Sequence, residues 1–302
     1  GQAISLLNKT KYDFIVVGGG GLIESYGFSG CKIPFTKKVL DSIKAPIFFI
    51  GLGYNFFYNG DKINNYGADN LSYVIEKSNY FSLRDDGSLE NLRQHSHCFN
   101  KDINIIPDPG CMYKFEKQNF LKTDKLVFQP AFNSNEFINK NRYPNNAITK
   151  IKKIISEYKF FVFPHTPKDF YIPDFNFIIK KTDINHTCRF QNTENFLSEY
   201  LNFKTVVATR GHGQLISIGL NIPSLYLSTQ PKVIDFSNIN GFSEYTIDIR
   251  KDKWNEDLKS KIEKINQEGD FRNKWFDLRK KYMNNKRLIF NDAILKCVNH
   301  LK

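Results

Sequence analysis

An arginine and a histidine share one glycine-rich turn between two apolar segments of the chain. The stretch VVATRGHGQLISIGL places Arg210 and His212 directly after a run typical of a buried strand and before a short apolar helix. Backbone amides at the start of such a helix, including that of Gly213, attract anions, and arginine adds a fixed positive charge. Histidine ordinarily titrates near neutral pH. The turn therefore predicts an anion receptor that also contains a group able to transfer a proton.

Two further cations follow other strand-like runs. Lys232 comes just after SLYLS, and Arg84 ends YFSLR, ahead of Asp85 and Asp86. Because the carboxyl ends of parallel strands meet at one edge of a sheet, we expect Lys232 to return to the side where Arg210 lies. Arginine also suits bidentate binding of a carboxylate or phosphate. The alternatives are a solvated side chain for Lys232 and a local Arg–Asp ion pair for Arg84.

Glycines and a second histidine mark other strand ends. Gly18–Gly21 follow the run DFIVV, and glycines allow positive φ and close approach of a ligand to the backbone. Ile23 stands where a dinucleotide-binding GxGxxG fingerprint needs its third glycine, so that motif is absent. His165 follows KFFVFP and could donate a proton or bind substrate. A simple turn is the alternative at both places.

Apolar runs alternate with amphipathic segments along the chain, which indicates parallel sheets covered by helices. We therefore predict an α/β fold with two Rossmann-like lobes, covering residues 1–120 and 121–302, and a helical tail from Trp254 onward. The expected strands are formed by the runs DFIVVGGGG, PIFFIGLG, YFSLRDD, INIIPDPG, KLVFQPAF, KFFVFPHT, TVVATRGHG, SLYLS and EYTIDIR.

Composition narrows the functional classes. The chain has 302 residues, of which 41% are hydrophobic and 25% charged, as expected for a globular protein. The net charge of +12 allows the hypothesis of a non-catalytic protein that binds nucleic acid or anionic surfaces. The basic residues are spread along the whole sequence and form no clustered stripe, which argues against that hypothesis. The five cysteines show no CxxC spacing, which argues against a zinc site or a disulfide framework. We expect a cytoplasmic protein, either free or peripheral to a membrane, with no transmembrane segment.

Five motifs, taken in order and spacing, resemble the polysaccharide pyruvyl transferase family over roughly residues 13–236. They are VVGGGGL, PIFFIGLG, YFSLRDDGSLENL, PDPG and VVATRGHGQLISIGLNIPSLYLSTQPKV. The resemblance implies a two-lobed fold similar to GT-B glycosyltransferases. It also implies transfer of pyruvate from phosphoenolpyruvate to a sugar as a ketal, with phosphoenolpyruvate as co-substrate and no cofactor or metal.

The resemblance also assigns roles to individual residues. Catalysis would rest on His212 and Arg210, and the donor would be bound by Arg84, Arg210, His212 and Lys232. The helix-start amide of Gly213, expected from the anion-binding turn itself, would also contact the donor. The N-terminal lobe would face the acceptor, and we expect acceptor contacts from Gly19, Gly20, Gly21 and His165. Members of the family usually begin with a strand and a G-D loop before the glycine motif, so we expect the first βα unit to be missing or shortened here.

The sequence leaves several alternatives open. A glycosyltransferase of the same architecture, with a nucleotide sugar on the Arg210–His212 turn, is the competing function. The acceptor is a sugar or glycan that could be free, lipid-linked or polymeric. Its identity, the hydroxyls used and the oligomeric state do not follow from the sequence.

Overall fold

The computed structural model describes residues 12–25, 29–33, 35–60, 62–95, 99, 102–113, 124–131, 142–165 and 193–301. The chain forms two compact units: residues 1–112 with 284–302, and residues 113–283. This grouping differs from the sequence-based division at residue 120, which leaves the whole helical tail in the second lobe. The end of the tail belongs to the first unit instead.

Strands end where the apolar runs end. Within the described residues the strands are β1 (Ile15–Gly18), β2 (Ile23–Glu24), β3 (Ile47–Leu52), β4 (Tyr54–Asn55), β5 (Tyr80–Arg84), β6 (Asn104–Ile106), β7 (Lys125–Gln129), β8 (Phe161–Val162), β9 (Phe203–Ala208), β10 (Ser224–Ser228) and β11 (Thr246–Asp248). Strands β3, β5 and β10 are buried at every position, as continuous apolar runs predict.

Helices connect these strands and close the chain. They are α1 (Lys37–Ser42), α2 (Asn65–Lys77), α3 (Ser88–His95), α4 (Pro109–Met112), α5 (Ala147–Glu157), α6 (Thr193–Leu201), α7 (Gly211–Gly219), α8 (Pro231–Asn240), α9 (Trp254–Asn266) and α10 (Asp270–Asn299). In the described parts of the chain, no helix is both long enough and apolar enough to cross a membrane.

The first unit is built on a parallel sheet of order β1-β3-β5-β6. A two-stranded parallel pair, β2-β4, lies beside the loops that follow β1 and β3. On one face of the sheet, Phe48, Ile50 and Tyr80 pack against Ala293 and Cys297 of α10. This apolar contact is the physical reason why the end of the tail belongs to the first unit.

The second unit has a parallel sheet of order β11-β10-β9-β7-β8. If β7 to β11 are renumbered 1 to 5, the strand order is 2-1-3-4-5, which is that of a flavodoxin-like doubly wound sheet. The topological switch of this sheet lies between β7 and β9. In such sheets, ligands bind at the carboxyl ends of the strands next to the switch. Gln129 ends β7, and the turn at Arg210 follows β9, so the predicted anion receptor lies at this point.

The predicted fold class, two Rossmann-like α/β lobes with a helical C-terminal tail, is confirmed. The nine predicted strands are all present. The short strands β2 and β4 were not predicted, because two residues are too few to leave a hydrophobic period.

Candidate functional site

The turn after β9 presents backbone amides, an arginine and a histidine together. Arg210 is the N-cap of α7, with φ −99° and ψ 144°, and makes no side-chain capping hydrogen bond. The first helical bond of α7 joins Gln214 N to Arg210 O at 3.2 Å. The three preceding N–H groups, at Gly211, His212 and Gly213, therefore precede the helical ladder and are the ordinary site for an anion. Arg210 is half-buried, whereas His212 is exposed.

Lys232 lies beside the same turn. It is the second residue of α8, the helix that follows β10, and it is half-buried. A Cβ built on Gly211 would lie 3.8 Å from Cε of Lys232, so the lysine stem passes over this glycine. The N-termini of two helices and three basic side chains thus adjoin at neighbouring strand ends. This arrangement favours a ligand with negative charge.

Polar side chains connect the two turns. Thr229, in the turn after β10, donates its hydroxyl to Thr209 O at 3.0 Å. Behind the turns, Gln214 of α7 donates through Nε2 to Ser237 Oγ of α8 at 2.9 Å. All four side chains are buried. Buried side-chain hydrogen bonds therefore join the turns after β9 and β10, in addition to the pairing of the strands.

Two buried residues that were not predicted from sequence also face the turn. Gln129 accepts a hydrogen bond from Arg210 N through Oε1 at 2.9 Å. Tyr143 lies beside Thr229 and Arg210; burial raises the pKa of its hydroxyl, while the Thr229 hydrogen bond and the Arg210 charge lower that pKa. A polar residue closing an apolar strand was the available signal for Gln129. Tyr143 lies far from the turn in sequence and gave no signal.

His165 reaches the same edge of the second sheet but is engaged in an aromatic cluster. It follows β8, and its Nε2 is hydrogen-bonded to the hydroxyl of Tyr200. Its ring centroid lies 5.2 Å from that of Phe196 and 6.1 Å from that of Phe163. Tyr200 is fully buried, so this hydrogen bond fixes the imidazole orientation. The side chain of His165 remains half-buried.

In the first unit, Arg84 is buried within an ion-pair network. Its side chain is 4% exposed, with Nη1 2.6 Å from Asp108 Oδ2 and Nη2 2.7 Å from Asp86 Oδ2. Burial lowers the pKa of Arg84, but the Asp86 and Asp108 carboxylates outweigh it and raise the pKa overall. A Cβ on Gly53 would lie 1.9 Å from Nη2, so the guanidinium occupies the space above this glycine.

This geometry bears on the predicted donor-binding role of Arg84. The residue does end β5, as expected, but its charge is already compensated by two buried carboxylates. The alternative of a local Arg–Asp ion pair describes the observed geometry. In this structure the two terminal nitrogens of the guanidinium are engaged by carboxylates of the same unit.

Asp85 extends the network towards the C-terminal helix. Its Oδ2 lies 2.7 Å from Nζ of Lys286 on α10. Burial raises the pKa of Asp85 to about 6, although the Lys286 ammonium acts in the opposite direction. Asp86 also accepts a hydrogen bond from Ser88, at the start of α3. Asp86 therefore compensates Arg84 and also contacts the first residue of the next helix.

The glycine loop after β1 has the open backbone that the sequence predicts. Gly19 and Gly20 have φ values of +62° and +82°, and a Cβ at either position would meet no atom within 4 Å. The loop is nevertheless anchored, since Gly53 N donates to Gly20 O at 2.9 Å. At Gly21 a Cβ would lie 3.0 Å from Cβ of Asn55. Positive φ explains why Gly19 and Gly20 are glycines, and crowding explains Gly21.

The predicted site residues therefore fall into two groups. The second unit brings Arg210, His212, Gly213 and Lys232 together at one sheet edge, with His165 two strands away. The first unit contains Arg84 and the loop Gly19, Gly20 and Gly21.

Comparison with known proteins gives one family match. The family model described as "Polysaccharide pyruvyl transferase" matches residues 2–231. No curated protein matches the chain. Among solved structures, the chain is similar to one titled "S. aureus MnaA-UDP co-structure", with a TM-score of 0.48 and 13% sequence identity, covering 92% of this chain and 72% of that one.

Proposed function

The chain belongs to the polysaccharide pyruvyl transferase family, and on that premise we propose that it transfers the pyruvyl group of phosphoenolpyruvate to a sugar of a glycan and forms a ketal. The observation that carries the proposal is the turn at Arg210 and His212 with Lys232 beside it. Phosphoenolpyruvate carries a phosphate and a carboxylate. Fixed cations combined with helix-end amides are the receptor that such a double anion requires.

We assign the donor to the second unit. Arg210 and Lys232 hold the phosphate and the carboxylate, and the N–H groups at Gly211–Gly213 donate hydrogen bonds to the remaining phosphate oxygens. The half-buried position of both cations supports this role, because partial burial strengthens charge interactions relative to bulk water. Arg84 is left out of this receptor, since its two terminal nitrogens already bind Asp86 and Asp108.

The reaction is a stepwise addition and displacement. A proton is added to the methylene carbon of phosphoenolpyruvate, which leaves an oxocarbenium-like centre at C2. One sugar hydroxyl adds to C2 and loses its proton; a second hydroxyl then displaces phosphate and closes the ketal. His212 either delivers the first proton as general acid or stabilises the departing phosphate. A positioned acid of this kind contributes a rate factor of about 10²–10⁴.

The acceptor is the less defined partner in this proposal. We propose that a sugar of a glycan, free or lipid-linked, contacts the loop at Gly19–Gly21, whose lack of side chains lets a ring approach the backbone. His165 is proposed as an acceptor contact from the second unit. A cytoplasmic site of action is part of the proposal; it fits the scattered cysteines of the sequence, which show no CxxC spacing.

The test is phosphate release from phosphoenolpyruvate in the presence of a glycan acceptor. In His212→Ala we expect the rate of release to fall about 10²–10⁴-fold with little change in thermal stability, because the side chain is exposed. The matched control is His300→Ala, which removes another exposed histidine, from the first unit. Turnover of His212→Ala close to that of His300→Ala would refute the assignment.

A binding experiment separates the two candidate donors. Thermal stabilisation follows mass action for whichever ligand binds the native state. We expect phosphoenolpyruvate to raise the melting temperature, and Arg210→Met to lose that increase. Stabilisation by nucleotide sugars alone would instead indicate a glycosyltransferase.

A further inference from the structure

We infer that Gln129 is the positioning residue of the Arg210–His212 turn, holding the donor receptor in shape without touching the donor. The inference rests on the proposed function, because it concerns the same anion site. Gln129 closes β7 at the topological switch of the second sheet and is fully buried. Strands β7 and β9 are paired as far as Gln129 and Ala208.

Gln129 continues the connection beyond the last ladder pair. Its backbone carbonyl accepts two hydrogen bonds from Thr209, from N at 3.1 Å and from Oγ1 at 2.7 Å. Its side-chain Oε1 then accepts from Arg210 N at 2.9 Å. The amide of Arg210 is therefore satisfied from inside the sheet and is directed away from a ligand. The backbone from which the Arg210 side chain extends is fixed by the same contact.

Both ends of the Gln129 amide are specified. Nε2 donates to the carbonyl oxygen of Pro130. Oε1 could not take that place, because an amide oxygen has no proton to donate to a carbonyl. The amide is thus oriented with its oxygen towards Arg210. An apolar residue of similar size would leave the Arg210 N–H without its acceptor, and a carboxylate would place an oxygen against the Pro130 carbonyl.

The close packing of Gln129 also explains a glycine within the turn. A Cβ at Gly213 would lie 2.8 Å from Oε1 of Gln129 and 2.9 Å from Cβ of Ala208. The first turn of α7 can therefore sit on Gln129 only because position 213 has no side chain. Gln129 and Gly213 together fix where the N-terminal amides of α7 lie relative to β7.

Two substitutions separate the hydrogen bond from the charge. Gln129→Met removes the acceptor for Arg210 N–H with little change in volume, whereas Gln129→Glu keeps an acceptor oxygen but adds a negative charge. The control is Ser224→Ala, which removes the buried hydrogen bond from Ser224 Oγ to Tyr226 Oη at the other end of the neighbouring strand β10. Amide hydrogen exchange and sulfate affinity are measured for each protein, without phosphoenolpyruvate or sugar.

In Gln129→Met we expect Arg210 N–H exchange to accelerate about tenfold or more and sulfate affinity to fall about tenfold, since a displaced receptor loses its alignment. Val206 lies in β9, the strand that leads to the turn, and its N–H donates to Pro223 O at 3.1 Å. This amide should exchange at the wild-type rate. In Gln129→Glu we expect Arg210 N–H to stay protected while sulfate binds more weakly still. Ser224→Ala should match the wild type in both measurements.

Three results would overturn the inference: unchanged Arg210 exchange in Gln129→Met, equal acceleration at Val206, or sulfate affinity within about twofold of wild type despite faster Arg210 exchange. Failure of the wild type to bind sulfate would count against the proposed donor site instead. The exchange rates would still decide the role of Gln129.

Discussion

Replacing Arg84 with methionine tests whether this arginine is a structural ion-pair centre. The change removes the partner of two carboxylates, Asp86 and Asp108, whose side chains are 9% and 4% exposed. Breaking a buried pair by removing one partner costs about 3–5 kcal/mol, because it leaves buried charge uncompensated. For a chain of this size each kcal/mol corresponds to roughly 2–4 °C, so the melting temperature should fall by roughly 6–20 °C.

The assay is thermal unfolding of the Arg84→Met variant, with the Arg250→Met variant as the control. Arg250 also pairs with an aspartate, Asp248, at 2.6 Å, but its side chain is 22% exposed. A partly hydrated pair contributes about 1 kcal/mol or less, so the control should lose only a few degrees.

A melting temperature of Arg84→Met within about 2 °C of wild type would refute the structural reading. The carboxylates would then not depend on Arg84, and the arginine could turn to a ligand as the family resemblance implies. If the variant melts early but remains folded at assay temperature, its affinity for phosphoenolpyruvate should be close to that of the wild type.

Three other substitutions test separate parts of the structure. Gly213→Ala should destabilise the protein by about 1–3 kcal/mol, because its Cβ would lie 2.8 Å from Gln129 Oε1, whereas Gly269→Ala, with no atom within 4 Å, should have little effect in the same thermal melt. Gly20→Val should raise the acceptor KM while donor binding persists; a folded variant with unchanged acceptor kinetics would show that the loop is only a turn. Burial raises the pKa of Asp85 to about 6, so the native state binds a proton that the unfolded chain has released. Relative to Asp85→Asn, wild-type stability should therefore fall by up to about 3 kcal/mol as the pH rises from about 4 to about 6, and a flat difference between urea melts would contradict this.

The strands, the helices and the position of the Arg210–His212 turn could be predicted from the sequence, because each depends on a local pattern of residues. Continuous apolar runs placed the main strands, and the position of Arg210 and His212 between a strand and a helix placed them at a sheet edge. Lys232 was expected at the same edge because parallel strands share their carboxyl ends. The structure agrees, with Cε of Lys232 3.8 Å from a Cβ built on Gly211.

The features that sequence reasoning missed depend on contacts between distant segments. The environment of Arg84 is set by Asp108, which is 24 positions away and lies just after the neighbouring strand β6. Gln129 and Arg210 are 81 positions apart. The end of α10 packs on the first sheet through Ala293 and Cys297, a pairing that no periodicity within the helix specifies.

The most direct test of the central claim is mass spectrometry of a panel of glycan acceptors incubated with the protein and phosphoenolpyruvate. We expect one acceptor to gain the mass of a pyruvyl ketal, one phosphate to be released per product, and Arg210→Met to abolish both. Sugar transfer from a nucleotide donor, with no pyruvyl product from phosphoenolpyruvate on any acceptor, would contradict that claim.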